Sequence, residues 1–198
     1  MKYENEITVE VNTDLDTLVK LLEDQGFQLK EIYDMNDIYM IKKGEEESDY
    51  LSMLSKCVLI RHLILENEDR KMITYKYKEY NDKKEITKQG KINVNVDDIE
   101  KTKELLEKIG FEELIRIKDH LLIYATDNEE LTIQNVNDKH IYIEIEEGCF
   151  YANRTYNSIE EMKDVIKNNS VPIKGDNYFV KKAEIELEET YGRQRSRS

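Results

Sequence analysis

The chain has 198 residues, which suits one domain, or two tightly joined halves, with a substantial core. It is 39% hydrophobic and 37% charged, with 7 Gly and 1 Pro, which is too apolar for a disordered chain. A formal net charge of −13 argues against nonspecific nucleic-acid binding, which needs a basic surface. The sequence contains neither a membrane-spanning apolar run nor a signal-peptide pattern, so we expect a cytoplasmic protein without a membrane partner.

The first predicted elements are a strand and a helix, and their pattern recurs later in the chain. Residues 4–11 alternate apolar and polar side chains, and leucines at helical spacing in residues 14–25 precede Gly26. A second alternating segment and a second helix, which ends at Gly110, repeat this order. The repeat predicts two similar halves, roughly 1–90 and 91–150, packed as a single domain over 1–190.

The predicted strands carry polar faces that differ in sign, because alternate side chains of a strand point to opposite faces. The first and last strands carry acidic pairs, and the strands between them carry cations. One alternative is an ordinary sheet with a solvated face. The other is a closed or nearly closed antiparallel barrel of about eight strands, with carboxylates and cations facing each other inside. Many strands and few helices favour this α+β barrel with helices packed outside.

The last part of the chain is predicted to be a helical extension over 151–190. Ser158 is a good helix N-cap, and acidic residues follow it in the first turn. Pro172 ends this helix, and the stretch 178–189 fits either a last helix or an edge strand. The basic residues 191–198 are expected to be a disordered tail or an added, non-native end.

Six short motifs in one order resemble the CYTH domain, or triphosphate tunnel metalloenzyme, family over roughly residues 1–148. This family includes class IV adenylyl cyclases, thiamine triphosphatases and inorganic triphosphatases. The motifs are Glu4-Asn5-Glu6, Asp37-Ile38-Tyr39, Leu59-Ile60-Arg61, Thr74-Tyr75-Lys76, Lys118-Asp119-His120 and Glu144-Ile145-Glu146.

The resemblance implies a tunnel that binds a triphosphate through divalent metal. Four carboxylates would hold Mg²⁺ or Mn²⁺, namely Glu4, Glu6, Glu144 and Glu146. Six cationic side chains would bind the triphosphate, namely Arg61, Lys76, Lys78, Arg116, Lys118 and His120. The ligand would be a nucleoside triphosphate, thiamine triphosphate or tripolyphosphate. The alternative for the carboxylates is solvated surface charge, which is common in a chain with 43 acidic residues.

Three departures from the family pattern bear on catalysis. Thr8 replaces the signature lysine, which in the family orients or activates the nucleophile, and Leu59 and His120 replace arginines. We therefore expect retained binding with weak or absent turnover, whether the reaction is triphosphate hydrolysis or adenylate cyclisation. The alternative is a catalytically degenerate scaffold that binds a phosphate ligand or a protein. The oligomeric state stays open, and a homodimer is one alternative.

Overall fold

The computed structural model describes residues 6–45, 50–80 and 86–195, and Glu4 lies outside them. This part of the chain contains eight strands and five helices. In chain order they are β1 (Glu6–Glu10), α1 (Leu15–Asp24), β2 (Gln28–Lys42), α2 (Tyr50–Ser55), β3 (Val58–Ile64), β4 (Asp69–Tyr80), β5 (Ile86–Asn95), α3 (Ile99–Lys108), β6 (Phe111–Ala125), β7 (Glu130–Val136), β8 (His140–Glu146), α4 (Ile159–Asn168) and α5 (Lys182–Arg195).

The strands form one antiparallel sheet in the order β1-β8-β7-β6-β2-β3-β4-β5. The predicted α+β class and the eight antiparallel strands are therefore confirmed. Among the described residues no pairing joins β1 to β5, so closure into a barrel is not confirmed. In the same residues, no helix combines the length and the apolar run that crossing a bilayer requires.

The chain divides into two compact units whose segments are interleaved, whereas the predicted halves are consecutive. Unit 1 contains residues 1–34 and 119–181, and unit 2 contains residues 35–118 and 182–198. The repeated order is present, since β1-α1-β2 recurs as β5-α3-β6. Gly26 and Gly110 follow the caps of α1 and α3 with φ of 90° and 100°. Glycine suits both positions because a Cβ disfavours this left-handed backbone.

The core of unit 1 lies between one sheet face and helices α1 and α4. Asp14 begins α1 by accepting a hydrogen bond of 2.9 Å from the Thr17 N–H, and Ser158 caps α4 as predicted. The helices pack on the apolar positions of β1, β6, β7 and β8. The largest fully buried side chains of this cluster include Ile7, Leu18, Leu22, Leu131, Ile133 and Ile143. The alternating pattern of the strands therefore separates this apolar face from a polar one.

The core of unit 2 is smaller and lies against α3. Ile38 and Met40 of β2, Ile60 of β3 and Leu106 of α3 form its buried cluster. Helix α5 belongs to this unit, where Tyr191 contacts the ring of Tyr50 in α2. Helix α5 continues to Arg195, whereas the sequence predicts an irregular tail from residue 191.

Residues 171–180, which we call the strap, run along the outer edge of β1 in unit 1. The Thr8 N–H donates to the Tyr178 carbonyl, and the Val180 N–H donates to the Thr8 carbonyl, both at 3.0 Å. Farther along, the Lys174 N–H donates to the Glu10 carbonyl at 2.8 Å. Backbone donors and acceptors at an open sheet edge invite pairing with other chains. The strap occupies this edge, so β1 is paired on both sides.

A pH-dependent contact joins Lys174 of the strap to Glu10 of β1. The Glu10 carboxylate, 17% exposed, accepts from Lys174 Nζ at 2.7 Å and faces His140 Nδ1 at 3.1 Å. Burial opposes its ionisation, but the hydrogen bonds from Lys174 and His140 outweigh burial, so the pKa of Glu10 is lowered from 4.5. The stabilisation is therefore present above pH 4.5 and is lost as the pH falls through the lowered pKa.

We expect Glu10→Gln to lower the free energy of unfolding at pH 7 by about 1 kcal/mol. The difference from the wild type should shrink at an acidic pH below the lowered pKa of Glu10, because both side chains are then neutral. Urea unfolding at the two pH values measures this, with Glu104→Gln on the exposed side of α3 as the control. An equal loss at both pH values would mean that packing, and not the charge of Glu10, holds the strap.

Candidate functional site

Unit 1 has an acidic face formed by β1 and β8. Glu6 is paired directly with Glu146, and Thr8 is paired with Glu144. Directly paired side chains lie on the same face of an antiparallel pair, with their Cβ atoms about 5 Å apart. Glu6, Glu144 and Glu146 therefore share the face opposite the buried Ile7 and Val9. Three carboxylates therefore concentrate negative charge on one face of the β1–β8 pair.

The negative charges of this face affect the pKa of Tyr33 in β2. Burial, followed by the charges of Glu144, Asp119, Glu31 and Glu146, raises the pKa of Tyr33 to about 12. The phenol is therefore protonated at neutral pH and can donate a hydrogen bond to an anionic oxygen. It cannot act as a base at this pH.

The chemistry of the donors on this face fits a hard divalent cation. All three carboxylates offer oxygen atoms, which Mg²⁺ and Mn²⁺ prefer. In the described part of the chain, no group of three His, Cys, Asp or Glu side chains is arranged to hold a metal ion. Mg²⁺ commonly uses one or two protein carboxylates and takes its other ligands from phosphate and water. The face therefore fits a cation that arrives with a phosphate ligand, and not a fully protein-enclosed ion.

Unit 2 has a cationic face on β3, β4 and β5. Arg61 forms a two-pronged pair with Asp37, from Nε to Oδ1 at 2.7 Å and from the terminal nitrogen to Oδ2 at 2.6 Å. Asp37 is only 4% exposed, so the pair fixes the orientation of the guanidinium group. Lys76 lies directly opposite Lys91 and is solvent-exposed.

The cationic face also contains neutral polar residues. Arg61 is paired with Met72, and the alternation along β4 places Thr74 and Lys76 on the same face. The Thr74 hydroxyl donates to Asn93 Oδ1 at 3.0 Å. Leu59, which stands where the family has an arginine, is buried next to Thr74. The face therefore carries cations at its two ends and neutral groups between them.

Two predicted residues remain without side-chain evidence. Lys78 lies on β4 opposite Gln89, with the same strand parity as Lys76. Its side chain is outside the described set, as is the whole of Glu4. Both remain sequence predictions.

Arg116 and Lys118 lie on the α3 side of unit 2. Arg116 donates to Glu113 at 2.7 Å, and Glu113 also pairs with Lys103 of α3. Both cations line a cavity of about 570 Å³ together with Ile38 and Ile60, which pack under α3. Arg61 follows Ile60 in β3, so its side chain points to the opposite side. Arg116 and Lys118 therefore come together at this cavity, which Asp37, the partner of Arg61, also lines.

His120 is separated from the acidic face. His120 is paired with Asn135. The neighbouring Leu121 is paired with Gln134, and Gln134 is paired in turn with Tyr142. Tyr142 and Glu144 share a face, so His120 lies on the other one. Its Nδ1 contacts Asp34 Oδ1 at 2.6 Å. Strand alternation correctly groups the polar residues of β6, but it does not tell which face they share.

Two polar residues of these faces were not among the predicted site residues. Lys91 lies on β5 directly opposite Lys76, and this pairing adds it to the cationic group. Tyr33 gave no sequence signal beyond being an aromatic residue in a strand. Its role depends on carboxylates far away in sequence.

Comparisons with known proteins agree with this architecture. The chain matches no model of a known protein family. It is 28% identical over 184 residues to "Putative adenylate cyclase MJ0240" of Methanocaldococcus jannaschii, which covers 91% of this chain and 98% of that relative. The solved structure of the PH1819 protein of Pyrococcus horikoshii superposes with a TM-score of 0.67 at 20% identity, over 94% of this chain and 99% of that one.

A second solved structure resembles the chain along almost its whole length. It is the "Putative adenylyl cyclase HpAC1" of Hippeastrum, described as having a dominant triphosphatase activity, with a TM-score of 0.55 and 14% identity. The alignment covers 95% of this chain and 96% of that one. The resemblance to the CYTH family is confirmed. At these identities the solved structures establish the CYTH-like fold, while the roles of individual residues rest on the geometry of this chain.

Proposed function

We propose that this CYTH-like chain binds a triphosphate-bearing ligand together with Mg²⁺ or Mn²⁺. The observation that carries the proposal is the direct pairing of Glu6 with Glu146, with Glu144 on the same face. Carboxylate oxygens placed this close together are the ligands that Mg²⁺ and Mn²⁺ prefer. A cation bound by these oxygens would neutralise phosphate charge.

The cationic face of unit 2 supports the phosphate part of the proposal. A triphosphate carries several negative charges and needs several Lys or Arg partners before it leaves water. Lys76 is paired directly with Lys91, so both side chains lie on the same face of the sheet, where one phosphate group could contact the two. Arg61 adds a guanidinium that Asp37 already orients.

The proposed activity is slow hydrolysis of the triphosphate, or slow cyclisation if the ligand is a nucleotide. The similarity to adenylate cyclases and to a protein with triphosphatase activity supports both reactions. Thr8 lies between Glu6 and Glu10 on the acidic face, is 9% exposed, and cannot supply a positive charge. Tyr33 can hydrogen-bond a phosphate oxygen but cannot take a proton from the nucleophile. Neither residue therefore replaces the charged lysine that orients or activates the nucleophile in the family which the chain resembles.

The binding proposal is tested by melting the protein with tripolyphosphate, ATP or thiamine triphosphate, each with Mg²⁺ or Mn²⁺. A ligand at 100 times its Kd should add about 2.7 kcal/mol of stability, which is several degrees in Tm. Each ligand without metal, and each metal without ligand, are the controls. No shift with any phosphate ligand would favour a scaffold that binds proteins.

Weak turnover is tested by restoring the charge at position 8. We expect Thr8→Lys to raise the rate of tripolyphosphate hydrolysis by about tenfold or more, since positioned charge and proton transfer accelerate such steps. Thr8→Met adds similar bulk without charge and should not raise the rate. A wild-type kcat already in the usual range of about 1–1000 s⁻¹ would contradict the proposal of slow turnover.

A further inference from the structure

Phe179 of the strap projects an exposed aromatic ring beside the acidic face. It is the bridge partner of Thr8, and the Thr8 backbone is hydrogen-bonded to the residues on both sides of it. Bridge partners lie on the same face of a sheet. Phe179 therefore lies on the face of Thr8 and Glu144, and its ring is 56% exposed.

The neighbouring Tyr178 confirms this orientation independently. Tyr178 packs against the buried cluster under α4, and its ring lies 5.3 Å from Lys163 Nζ. Adjacent residues in extended backbone point to opposite sides. With Tyr178 on the core side, Phe179 must point to the polar side.

The backbone of Phe179 is held in place before any ligand binds. Both bonds to Thr8 are 3.0 Å long, and the Phe179 N–H also donates to Asn177 Oδ1 at 2.9 Å. An exposed phenylalanine on a fixed backbone loses little conformational entropy on binding. It offers a flat apolar surface next to groups that suit a metal–phosphate ligand.

We propose that Phe179 stacks on the aromatic ring of an organic triphosphate and makes the site prefer such ligands over inorganic tripolyphosphate. This inference rests on the proposed triphosphate function and narrows its substrate class. Stacking requires only a flat aromatic surface, so the ligand is expected to carry an aromatic ring, which need not be adenine.

The test compares ATP and tripolyphosphate by calorimetry in Mg²⁺, using the full-length chain. We expect Phe179→Ala to weaken ATP binding by about tenfold or more and to leave tripolyphosphate binding within about twofold. Phe179→Trp should retain the ATP affinity. The matched control is Phe150→Ala, which removes an 85% exposed ring from the turn after β8 and should change neither ligand. Because Phe179 is exposed, its alanine variant should melt like the wild type without ligand.

The outcomes separate this inference from the function on which it rests. If Phe179→Ala leaves ATP binding unchanged, or weakens both ligands equally, stacking is overturned while triphosphate binding stands. If Phe150→Ala and not Phe179→Ala weakens ATP binding, the wrong ring has been assigned. If the wild type binds neither ligand with Mg²⁺, the proposed function fails, and the inference fails with it.

Discussion

Glu146→Gln is expected to weaken metal-dependent ligand binding and to leave the stability of the metal-free protein nearly unchanged. Removing one carboxylate of the Glu6–Glu146 pair should weaken Mg²⁺-dependent tripolyphosphate binding by about 10- to 100-fold, because a charged ligand contact is lost. Without metal, the same variant should melt within a few degrees of the wild type, because glutamine keeps the length of the side chain and an oxygen that accepts hydrogen bonds. Calorimetry and thermal melting of the same samples measure both effects.

A matched substitution elsewhere separates this effect from a general change in net charge. Glu104→Gln removes one negative charge from the exposed side of α3 and should alter neither measurement. If Glu146→Gln destabilised the metal-free protein by several degrees, Glu146 would be a structural partner in the sheet. Unchanged tripolyphosphate affinity would remove the acidic face from the proposed site.

Asp37→Asn is expected to cause the largest loss of stability among single polar substitutions in unit 2. It leaves the half-buried Arg61 guanidinium without its counter-charge, which costs about 3 kcal/mol when a buried pair loses one partner. For a chain of this size the melting temperature should fall by about 6–12 °C. Urea unfolding and thermal melting measure the loss.

The matched control is Glu113→Gln, which breaks a more exposed pair with Arg116 and should cost less than about 1 kcal/mol. The double variant Asp37→Asn/Arg61→Met should recover part of the loss, since no unpaired charge is then buried. Equal costs for Asp37→Asn and Glu113→Gln would contradict the assignment of Asp37–Arg61 as the orienting pair.

Local patterns in the sequence determined the elements and their order. Leucine spacing and the cap Ser158 predict helices that the structure contains. Gly26 and Gly110 end the two repeated helices because they adopt a left-handed backbone. These features depend on neighbours a few residues apart, so a single sequence carries them. The motif order further gave the CYTH resemblance and the acidic residues of β1 and β8.

Contacts between distant segments were decided only by the tertiary structure. Alternation groups Arg116, Lys118 and His120 in β6, yet only strand pairing shows that His120 turns away from the face of Glu144. An alternating strand can place its polar residues on either face of the sheet, and only packing against α3 or α1 selects the face. The strap is a similar case, because its bridge to Thr8 joins residues 171 positions apart. The sequence by itself thus determined the charged strands and their family resemblance, whereas the register determined which charges share a face.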